Sequence, residues 1–342
     1  MKRLITILFL FPTVFFAQEN IKFSETITIQ DLERHLNILA SDSLEGRETG
    51  KKGQKMAAAY IANHFNEIGI PPYKKETYYQ KFKVKSKKHV CKCEDCDVGF
   101  VKQLFGKKRR IKGENVLGYI EGTDLKDELI IITAHYDHLG KHDSLIFNGA
   151  DDDGSGTVAT LEIAEAFMLA KKAGYGPRRS ILIMPVSGEE KGLLGSRYYT
   201  DHPIYPLEKT VANLNIDMIG RLDDWHDTAN YVYLIGADRL SQELHDISEQ
   251  VNKEYIGLNL DYTFNEEDDP NRYYYRSDHY NFAKNNIPVI FYFNGVHEDY
   301  HKATDTVDKI DFEKVETITR LVFLTAWELA NRDERIMVDK AE

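Results

Sequence analysis

The sequence predicts an α/β protein with three layers, in which helices cover both faces of a central mixed, mostly parallel sheet. Short apolar runs typical of buried strands alternate with longer segments that carry apolar residues at helical spacing, from residue 115 to residue 331. The chain of 342 residues is 42% hydrophobic and 29% charged, which is an ordinary globular composition. This length and composition are sufficient for a large buried core.

The first 17 residues are predicted to form a signal peptide. Lys2 and Arg3 precede an apolar run at residues 4–16, and Ala17 is the small residue expected before a cleavage site. This run is shorter than the roughly 20 apolar residues that a transmembrane helix needs. Because no cysteine lies near the cleavage site, we also expect no lipid anchor, and we expect the mature protein in the periplasm or outside the cell.

Cleavage would make an acidic chain more acidic. The net charge is −11, and removal of the two positive charges of the signal peptide would change it to −13. Nucleic acids and anionic membranes are bound through lysine and arginine patches. The charge therefore disfavours both as partners, and it leaves the oligomeric state open.

The mature chain, residues 18–342, is predicted to be a single domain. Its N-terminal part predicts two amphipathic helices, one at 28–40 behind a threonine cap and one at 51–68 that ends at Gly69. A loop rich in turn-forming residues joins them at 43–50, and alternation at 78–84 predicts a half-exposed strand.

A basic insertion at about residues 85–112 holds all three cysteines, Cys91, Cys93 and Cys96. Three thiolates at this spacing could bind a soft metal, but a structural zinc site usually takes four ligands. In an exported protein, a local disulfide with one remaining thiol, or an oxidisable surface loop, fits the pattern better. The neighbouring lysines and arginines are interpreted as a solvated face.

Strand and helix patterns alternate after the insertion. Strands are predicted at 115–120, 129–132, 180–186, 211–216, 231–235 and 288–293. Helices are predicted at 157–172, from about residue 192, at 240–255 and at 311–331. This alternation predicts the largely parallel sheet, since a helix commonly connects two parallel strands.

Histidine and aspartate residues cluster after the strand at 129–132. His135-Tyr-Asp137 follows this strand, and the turn Asn148-Gly-Ala-Asp-Asp-Asp-Gly-Ser-Gly156 leads into the next helix. Ligands of open α/β sheets bind at the carboxyl ends of the strands. A divalent metal needs a neutral imidazole, a carboxylate that orients it and a further carboxylate that bridges ions. This stretch therefore predicts part of a metal site.

Three later strands are also followed by residue types that bind metals. Glu189 and Glu190 follow the strand at 180–186, Asp217 follows the strand at 211–216, and Tyr300-His301 comes after the strand at 288–293. A single carboxylate after a strand is usually a helix cap. Four strand ends of this kind instead predict side chains that meet at one edge of a parallel sheet.

Together these motifs resemble those of the zinc aminopeptidases of peptidase family M28. The matching motifs are His135-Tyr-Asp, Gly149-Ala-Asp-Asp-Asp-Gly-Ser-Gly, Glu189-Glu, Asn215-Ile-Asp, Tyr300-His with Asp305-Thr, and the loop Leu44–Gly50. The resemblance implies a phosphorylase/hydrolase-like zinc peptidase fold, two zinc ions per chain, and removal of N-terminal residues from peptides with a free N terminus.

The resemblance also assigns roles to individual residues. His135, Glu190, Asp217 and His301 would be terminal zinc ligands. Asp152 would bridge the ions, since the family's bridging aspartate lies two positions before Gly-Ser-Gly, and Asp151 and Asp153 would hold the turn. Asp137 would hold the His135 imidazole, and Glu189 would be the general base. Tyr300 matches a position that donates to an oxyanion in some relatives, although a tyrosine there could equally pack in the core.

Five further residues lie outside the metal motifs. Asp278 and His279 belong to an Arg-Ser-Asp-His element that resembles one found in many M28 enzymes, and we predict that they line the substrate pocket. The alternative is an ordinary Ser-Asp helix cap for residues 278–285. His138, His142 and His297 match no motif and are predicted to lie on the surface.

Three other functions compete with an aminopeptidase. Glutaminyl-peptide cyclases share the implied fold but use one zinc ion, whereas a complete five-ligand set favours the peptidase. Relatives that serve as non-catalytic binding ectodomains have lost ligands, and this sequence has lost none. A carboxypeptidase of the same superfamily would need a basic subsite, for which Arg47 and Arg276 are the only candidates.

Overall fold

The computed structural model describes residues 13–73, 76–85 and 110–340. The three cysteines and residues 1–12 of the predicted signal peptide lie outside these ranges. The remaining signal-peptide residues belong to a helix that spans Thr13–Ser24. Among the described residues, no helix is both long enough and apolar enough to cross a membrane.

A mixed sheet of seven strands forms the centre of the described structure. Its strands are β3 (Gly118–Ile120), β4 (Leu125–His135), β7 (Arg179–Val186), β8 (Thr210–Ile216), β9 (Tyr231–Ile235), β10 (Asn259–Asp261) and β11 (Val289–Phe293). Their order is β10-β9-β11-β8-β4-β7-β3. The four neighbours β11, β8, β4 and β7 are mutually parallel, while β9 and β3 pair antiparallel with β11 and β7. The predicted mixed, mostly parallel sheet is therefore confirmed.

Eight α-helices surround this sheet in the described residues. They are α1 (Thr13–Ser24), α2 (Ile29–Leu39), α3 (Lys52–Ile68), α4 (Gly156–Lys172), α5 (Leu194–Asp201), α6 (Gln242–Val251), α7 (His279–Ala283) and α8 (Phe312–Asn331). The predicted helix ends agree with local chemistry. The Thr28 hydroxyl accepts a hydrogen bond from the Asp31 N–H at the start of α2, and Gly69 ends α3 with φ of 91°.

The two faces of the sheet bury two separate apolar clusters. In β4, Ile130 and Ile132 belong to the cluster that includes α2, α3, α4, α6 and α8, whereas Leu129 and Ile131 belong to the cluster that includes α5 and α7. Successive strand residues point to opposite faces, so a continuous apolar run such as that of β4 is required when both faces are covered. The three-layer prediction is thus confirmed.

Two hairpins and several boundaries differ from the predictions. The strand predicted at 115–120 is two strands, because β2 (Arg110–Val116) pairs antiparallel with β1 (Tyr79–Lys85) before the chain enters the central sheet as β3. Residues 110–112 therefore belong to a strand, although the sequence placed them in the insertion. A second hairpin, β5 (Gly140–His142) with β6 (Leu145–Phe147), and the edge strand β10 were too short to give a periodic signal.

Candidate metal centre and active site

The five predicted metal ligands lie together at the carboxyl edge of the sheet. His135 is the last residue of β4, and Asp217 follows β8 directly. Glu190 lies in the loop after β7, and His301 lies in the loop after β11. Because these four strands are parallel neighbours, their carboxyl ends meet at one edge, as the sequence predicted.

Two groups of side chains share the carboxylate of Asp152. In the first group, His135 Nε2 lies 3.3 Å from Asp152 Oδ1 and 3.4 Å from Asp217 Oδ1. In the second group, His301 Nε2 lies 3.2 Å from Asp152 Oδ2 and 3.4 Å from Glu190 Oε1. Asp152 thus presents one oxygen to each group.

The chemistry of these donors fits a pair of zinc ions. Zinc binds imidazole nitrogen and carboxylate oxygen, and each group offers one histidine, one carboxylate of its own and one oxygen of Asp152. Asp152 Oδ2 and Glu190 Oε1 are buried and have no hydrogen-bond partner in the described structure. Because a buried, unpaired carboxylate oxygen is costly, cations at these positions would stabilise the arrangement.

The aspartates on either side of Asp152 hold the turn. Asp153 accepts hydrogen bonds from the backbone N–H groups of His135, Gly156 and Met218, at 2.8–3.1 Å. Asp153 also lies near His135 and Asp217 of the first group. The three N–H donors, however, occupy both oxygens of its carboxylate. Asp151 accepts from the Gly220 N–H at 2.6 Å.

The buried Asp305 also fixes this turn. Its carboxylate accepts hydrogen bonds from the N–H groups of Asp151 and Asp152, at 3.0–3.1 Å. It follows His301 in the chain, so one loop supplies both a candidate ligand and an anchor for the turn that carries Asp152.

Asp137 acts differently from the prediction. His135 Nδ1 donates to the backbone carbonyl of Asp137 at 3.0 Å, while the Asp137 carboxylate lies 3.9 Å from that nitrogen. This carboxylate instead accepts hydrogen bonds from the N–H groups of Gly188, at 2.7 Å, and Glu189, at 3.2 Å, and from the Thr49 hydroxyl. Asp137 therefore fixes the backbone of the loop that carries Glu189, and its carbonyl orients His135.

The loop Leu44–Gly50 supports the centre from outside the sheet, which sequence reasoning noted only as a shared motif. Arg47 is fully buried and its guanidinium donates to four backbone carbonyls, those of Leu39, Tyr136, Asn148 and Gly149. It thereby joins α2, the end of β4 and the aspartate turn. Its burial among carbonyls removes Arg47 as a candidate basic subsite.

Glu189 lies at the wall of a cavity beside the first group. The cavity is also lined by His135, Asp152, Asp217 and His301. Burial and the neighbouring carboxylates of Glu190 and Asp217 raise the pKa of Glu189 well above its ordinary value, although His135 opposes this shift. Cations bound by the adjacent groups would favour the ionised carboxylate.

The outer wall of the cavity is mainly aromatic and apolar. It is lined by Met218, Tyr273, Phe291, Phe293, Val296 and Tyr300. The exposed Arg276 also lines it, and its guanidinium lies 4.8 Å from the centre of the Tyr273 ring. Such a wall suits an apolar side chain, with one positive charge at its edge.

The sequence left open whether Tyr300 packs in the core or faces the substrate, and its position has features of both. Its ring stacks on that of His301 at 3.9 Å, and it lines the cavity. Burial and the carboxylates of Asp152, Glu190 and Glu189 raise the pKa of Tyr300 well above its ordinary value. The phenol therefore stays protonated at neutral pH and remains a hydrogen-bond donor beside the metal centre.

The predicted pocket residues Asp278 and His279 do not lie on the cavity wall. Both side chains are fully buried behind it: Asp278 accepts a hydrogen bond from the Ser196 hydroxyl, and the His279 ring stacks on Phe291 at 4.6 Å. Asp278 occupies the N-cap position of α7, as the helix-cap alternative predicts, but its side chain accepts no hydrogen bond from an N–H of that helix. The neighbouring Ser277 does line the cavity, and its hydroxyl donates to Asp217 Oδ2 at 2.7 Å.

The predicted surface position is wrong for two of the three remaining histidines. His138 is fully buried, with Nδ1 at 3.1 Å from Glu190 Oε1. His297 is 7% exposed, with Nε2 at 3.2 Å from Asp151 Oδ2. His142 in β5 is partly exposed. Neither buried histidine belongs to a motif, so only the folded loops reveal that they face the centre.

Solved structures with the same fold include an aminopeptidase and a glutaminyl cyclase. The chain superposes on the LapA aminopeptidase of Legionella pneumophila with a TM-score of 0.69, covering 98% of this chain and 81% of that one at 22% identity. It superposes on the glutaminyl cyclase of Porphyromonas gingivalis with a TM-score of 0.61, covering 87% of this chain and 98% of that one at 17% identity. These similarities show the fold.

Curated relatives match over parts of their length. A probable glutamate carboxypeptidase of Arthroderma benhamiae is 38% identical over 105 residues, which are 30% of this chain and 14% of that protein. Aminopeptidase YwaD of Bacillus subtilis is 27% identical over 232 residues, which are 65% of this chain and 46% of that protein. The chain thus matches less than half the length of either relative.

A family sequence model matches the region that contains the four strand ends. The sequence model of peptidase family M28 matches residues 115–326, which include all five candidate ligands and Glu189. This match covers well over half of the chain. The chain belongs to peptidase family M28.

Proposed function

We propose that this protein is a metallo-aminopeptidase that uses two zinc ions to remove N-terminal residues from peptides. The observation that carries the proposal is the shared Asp152 carboxylate, which faces His135 and Asp217 on one side and His301 and Glu190 on the other. Family membership supports a peptidase. Two groups of metal ligands that share one carboxylate are the arrangement expected for hydrolysis with two co-catalytic ions.

The five side chains would hold the two ions and define the reaction centre. His135 and Asp217 would bind one ion, His301 and Glu190 would bind the other, and Asp152 would bridge them. When bound, two zinc ions would lower the pKa of a water molecule and polarise the scissile carbonyl. The carboxylate of Asp137 would hold the Glu189 loop at the correct distance through the Gly188 and Glu189 N–H groups.

Glu189 and Tyr300 would handle the proton and the developing charge. The Glu189 carboxylate would accept a proton from the attacking water and deliver it to the nitrogen of the leaving amine, so that the C–N bond breaks as the acid forms. Glu190 cannot share this task while it binds metal. The protonated Tyr300 phenol would donate a hydrogen bond to the oxygen of the carbonyl as it becomes negative.

The electrostatics of the cavity favour a peptide with a free N terminus. Glu189 and Asp217 bring carboxylates to its lining, beside which a positively charged α-amine would be stabilised. The aromatic and apolar outer wall would then contact the side chain of the first residue. This combination supports the proposed exopeptidase activity.

A substrate panel with purified protein tests this function. We expect chelator-sensitive release of the first residue from free peptides and little release from N-terminally acetylated copies. Equal rates on both would contradict an aminopeptidase. Release of C-terminal residues would favour a carboxypeptidase with Arg276 as its basic subsite. Conversion of N-terminal glutamine to pyroglutamate, with one bound ion, would favour a cyclase.

We also propose that residues 1–17 direct export of a single peptidase domain, residues 18–342. The positively charged start, the apolar run and Ala17 support this proposal. Mass spectrometry of the protein recovered from its producing cells should find a chain that begins at Gln18. An intact N terminus on the active protein would contradict it.

A further inference from the structure

The proposed function gives no role to His138, which lies beside Glu190 and Asp152. Its side chain is fully buried, and its Nδ1 lies 3.1 Å from Glu190 Oε1 and 3.7 Å from Asp152 Oδ2. His138, Asp152 and Glu190 each offer one ligand atom, and these atoms lie within 4.8 Å of one another. His301 Nε2 contacts the same two oxygens, at 3.2 Å from Asp152 Oδ2 and 3.4 Å from Glu190 Oε1. Two imidazoles therefore face one pair of oxygens.

The imidazole of His138 lies close to these carboxylates but makes no hydrogen bond of good geometry in the described structure. Neither of its ring nitrogens has a hydrogen-bond partner, and the same is true of Glu190 Oε1 and Asp152 Oδ2. Leaving a buried polar atom unpaired costs about 1–3 kcal/mol. A cation placed among His138 Nδ1, Glu190 Oε1 and Asp152 Oδ2 would be a partner for all three atoms.

The backbone beside His138 is shaped for its ring. A Cβ atom at Gly149 would lie 2.4 Å from His138 Cγ and 2.2 Å from the carbonyl oxygen of Asp152, and Gly149 has φ of 57°. Only glycine meets both requirements without displacement. The glycine that opens the aspartate turn therefore makes room for the His138 imidazole beside the carboxylate that this turn carries.

We propose that His138 is a further ligand of the ion that Glu190, His301 and Asp152 would hold. This inference rests on the proposed two-ion function. It makes the centre asymmetric: one ion has a single imidazole, His135, and the other has two, His138 and His301, whose ring centres are 6.0 Å apart. Because additional imidazole ligands favour zinc, cobalt and copper over magnesium and manganese, the second position should be the tighter and more selective one.

The test compares zinc binding in the wild type, His138→Asn and His142→Asn. Asparagine places an amide nitrogen near the position of Nδ1, so it can donate a hydrogen bond to Glu190 but is a poor zinc ligand. In equilibrium dialysis we expect two zinc ions in the wild type and in His142→Asn, the partly exposed control. In His138→Asn we expect one ion to bind at least about tenfold more weakly and the other to be retained. The cobalt form should show a changed visible spectrum for one ion only.

A second measurement uses the wild type alone and does not depend on how the variant folds. In protein labelled with ¹⁵N-histidine and loaded with ¹¹³Cd, we expect metal–nitrogen coupling at three imidazoles. Coupling at only two, or unchanged zinc affinity in His138→Asn, would overturn the inference and leave the proposed function intact. A wild type with a single ion would overturn the two-ion function. In that single-ion case, loss of the ion in His138→Asn would still support His138 as a ligand. Retention of the ion in His138→Asn would contradict both the two-ion function and the role of His138.

Discussion

At the scale of single residues, the adjacent glutamates Glu189 and Glu190 differ because the backbone presents them to different partners. Glu190 Oε1 faces the two imidazoles of His138 and His301, whereas Glu189 lies at the cavity wall beside His135. The Asp137 carboxylate holds the N–H of Glu189 itself. In the proposed function, Glu190 would bind metal and Glu189 would meet substrate.

We expect Glu189→Gln to retain both metal ions and to lose most turnover. An amide cannot take a proton from water, and general-base catalysis typically contributes about 10²–10⁴-fold. The measurement is kcat on a free peptide, together with the zinc content of the same sample. A fall within this range with unchanged zinc content would place the base at Glu189.

The matched control is Glu48→Gln. Glu48 pairs with Lys191 at 3.3 Å, outside the proposed proton path, so this change should leave kcat within about twofold. A Glu189→Gln variant that is as active as Glu48→Gln would show that the base lies elsewhere.

At the scale of elements, helix α2 supports the aspartate turn from below. Leu36 is fully buried, and a Cβ atom at Gly154 would lie 2.6 Å from its Cδ1 atom. The backbone of the turn and the leucine are therefore in direct contact. Leu36 comes from a helix far from the metal motifs in sequence, so this contact depends on tertiary packing.

We predict that Leu36→Ala lowers the free energy of unfolding by about 2–5 kcal/mol, because it leaves a cavity beneath the turn. Ile38→Ala in the same helix is the control. Ile38 is 40% exposed, so its truncation should cost well under half as much. Urea unfolding of both variants in chelator measures the difference, and equal losses would show that the turn does not rest on Leu36.

Helices α2, α3 and α4 also bury a polar cluster of His35, His64 and Glu162. His35 Nδ1 lies 2.7 Å from the Tyr60 hydroxyl, and Nε2 lies 3.3 Å from Glu162 Oε1. Burial lowers the pKa of His35 and of His64 to about 4, and it raises the pKa of Glu162 to about 8. All three groups are thus held neutral near pH 6.

This cluster predicts a loss of stability in acid. A histidine with a folded pKa of about 4 and an unfolded pKa near 6.5 binds its proton more readily in the unfolded chain, so stability falls as the pH drops from 6.5 toward 4. Glu162 acts in the opposite sense, with stability lost as the pH rises from 4.5 toward 8.

Replacement of His64 by glutamine should therefore reduce the acid sensitivity. Between pH 6.5 and 4.5 we expect His64→Gln to lose about 1–3 kcal/mol less stability than the wild type. Urea unfolding in chelator at several pH values measures this difference. The control His142→Gln, at a partly exposed position, should follow the wild type. Parallel curves for all three proteins would contradict the assignment.

At the scale of the whole molecule, the features that could be predicted are those with a local signal in the sequence. They are the periodicity of strands and helices and the metal-binding residue types that follow the strands. The long apolar run of β4 and the carboxylates after β7 and β8 are local signals, and parallel pairing brings them together without further information. The positions of His138 and Arg47 could not be predicted in this way, because their environment is built by loops from separate parts of the chain. Asp278 was misplaced for the same reason: a helix start gives no indication of which side chain faces a cavity.

Bound metal would contribute to the stability of the whole fold. Asp152, Glu189, Glu190 and Asp217 bring four carboxylates to one end of the sheet, and no lysine or arginine in the described structure pairs with any of them. Where these carboxylates are ionised, their repulsion opposes the convergence of the four central strands, and bound cations would offset it. Stability should therefore depend on free zinc.

We expect chelation to lower the unfolding temperature and zinc to restore it, with a slope that counts the ions. Above saturation, each tenfold increase in free zinc adds about 1.4 kcal/mol to the free energy of unfolding for every ion that binds only the folded chain, so two ions give about 2.7 kcal/mol. Urea unfolding in zinc buffers measures this slope, and magnesium, which prefers oxygen ligands, serves as the control. A slope near 1.4 kcal/mol would indicate one ion. A free energy of unfolding that does not change with zinc would show that the carboxylates converge without metal.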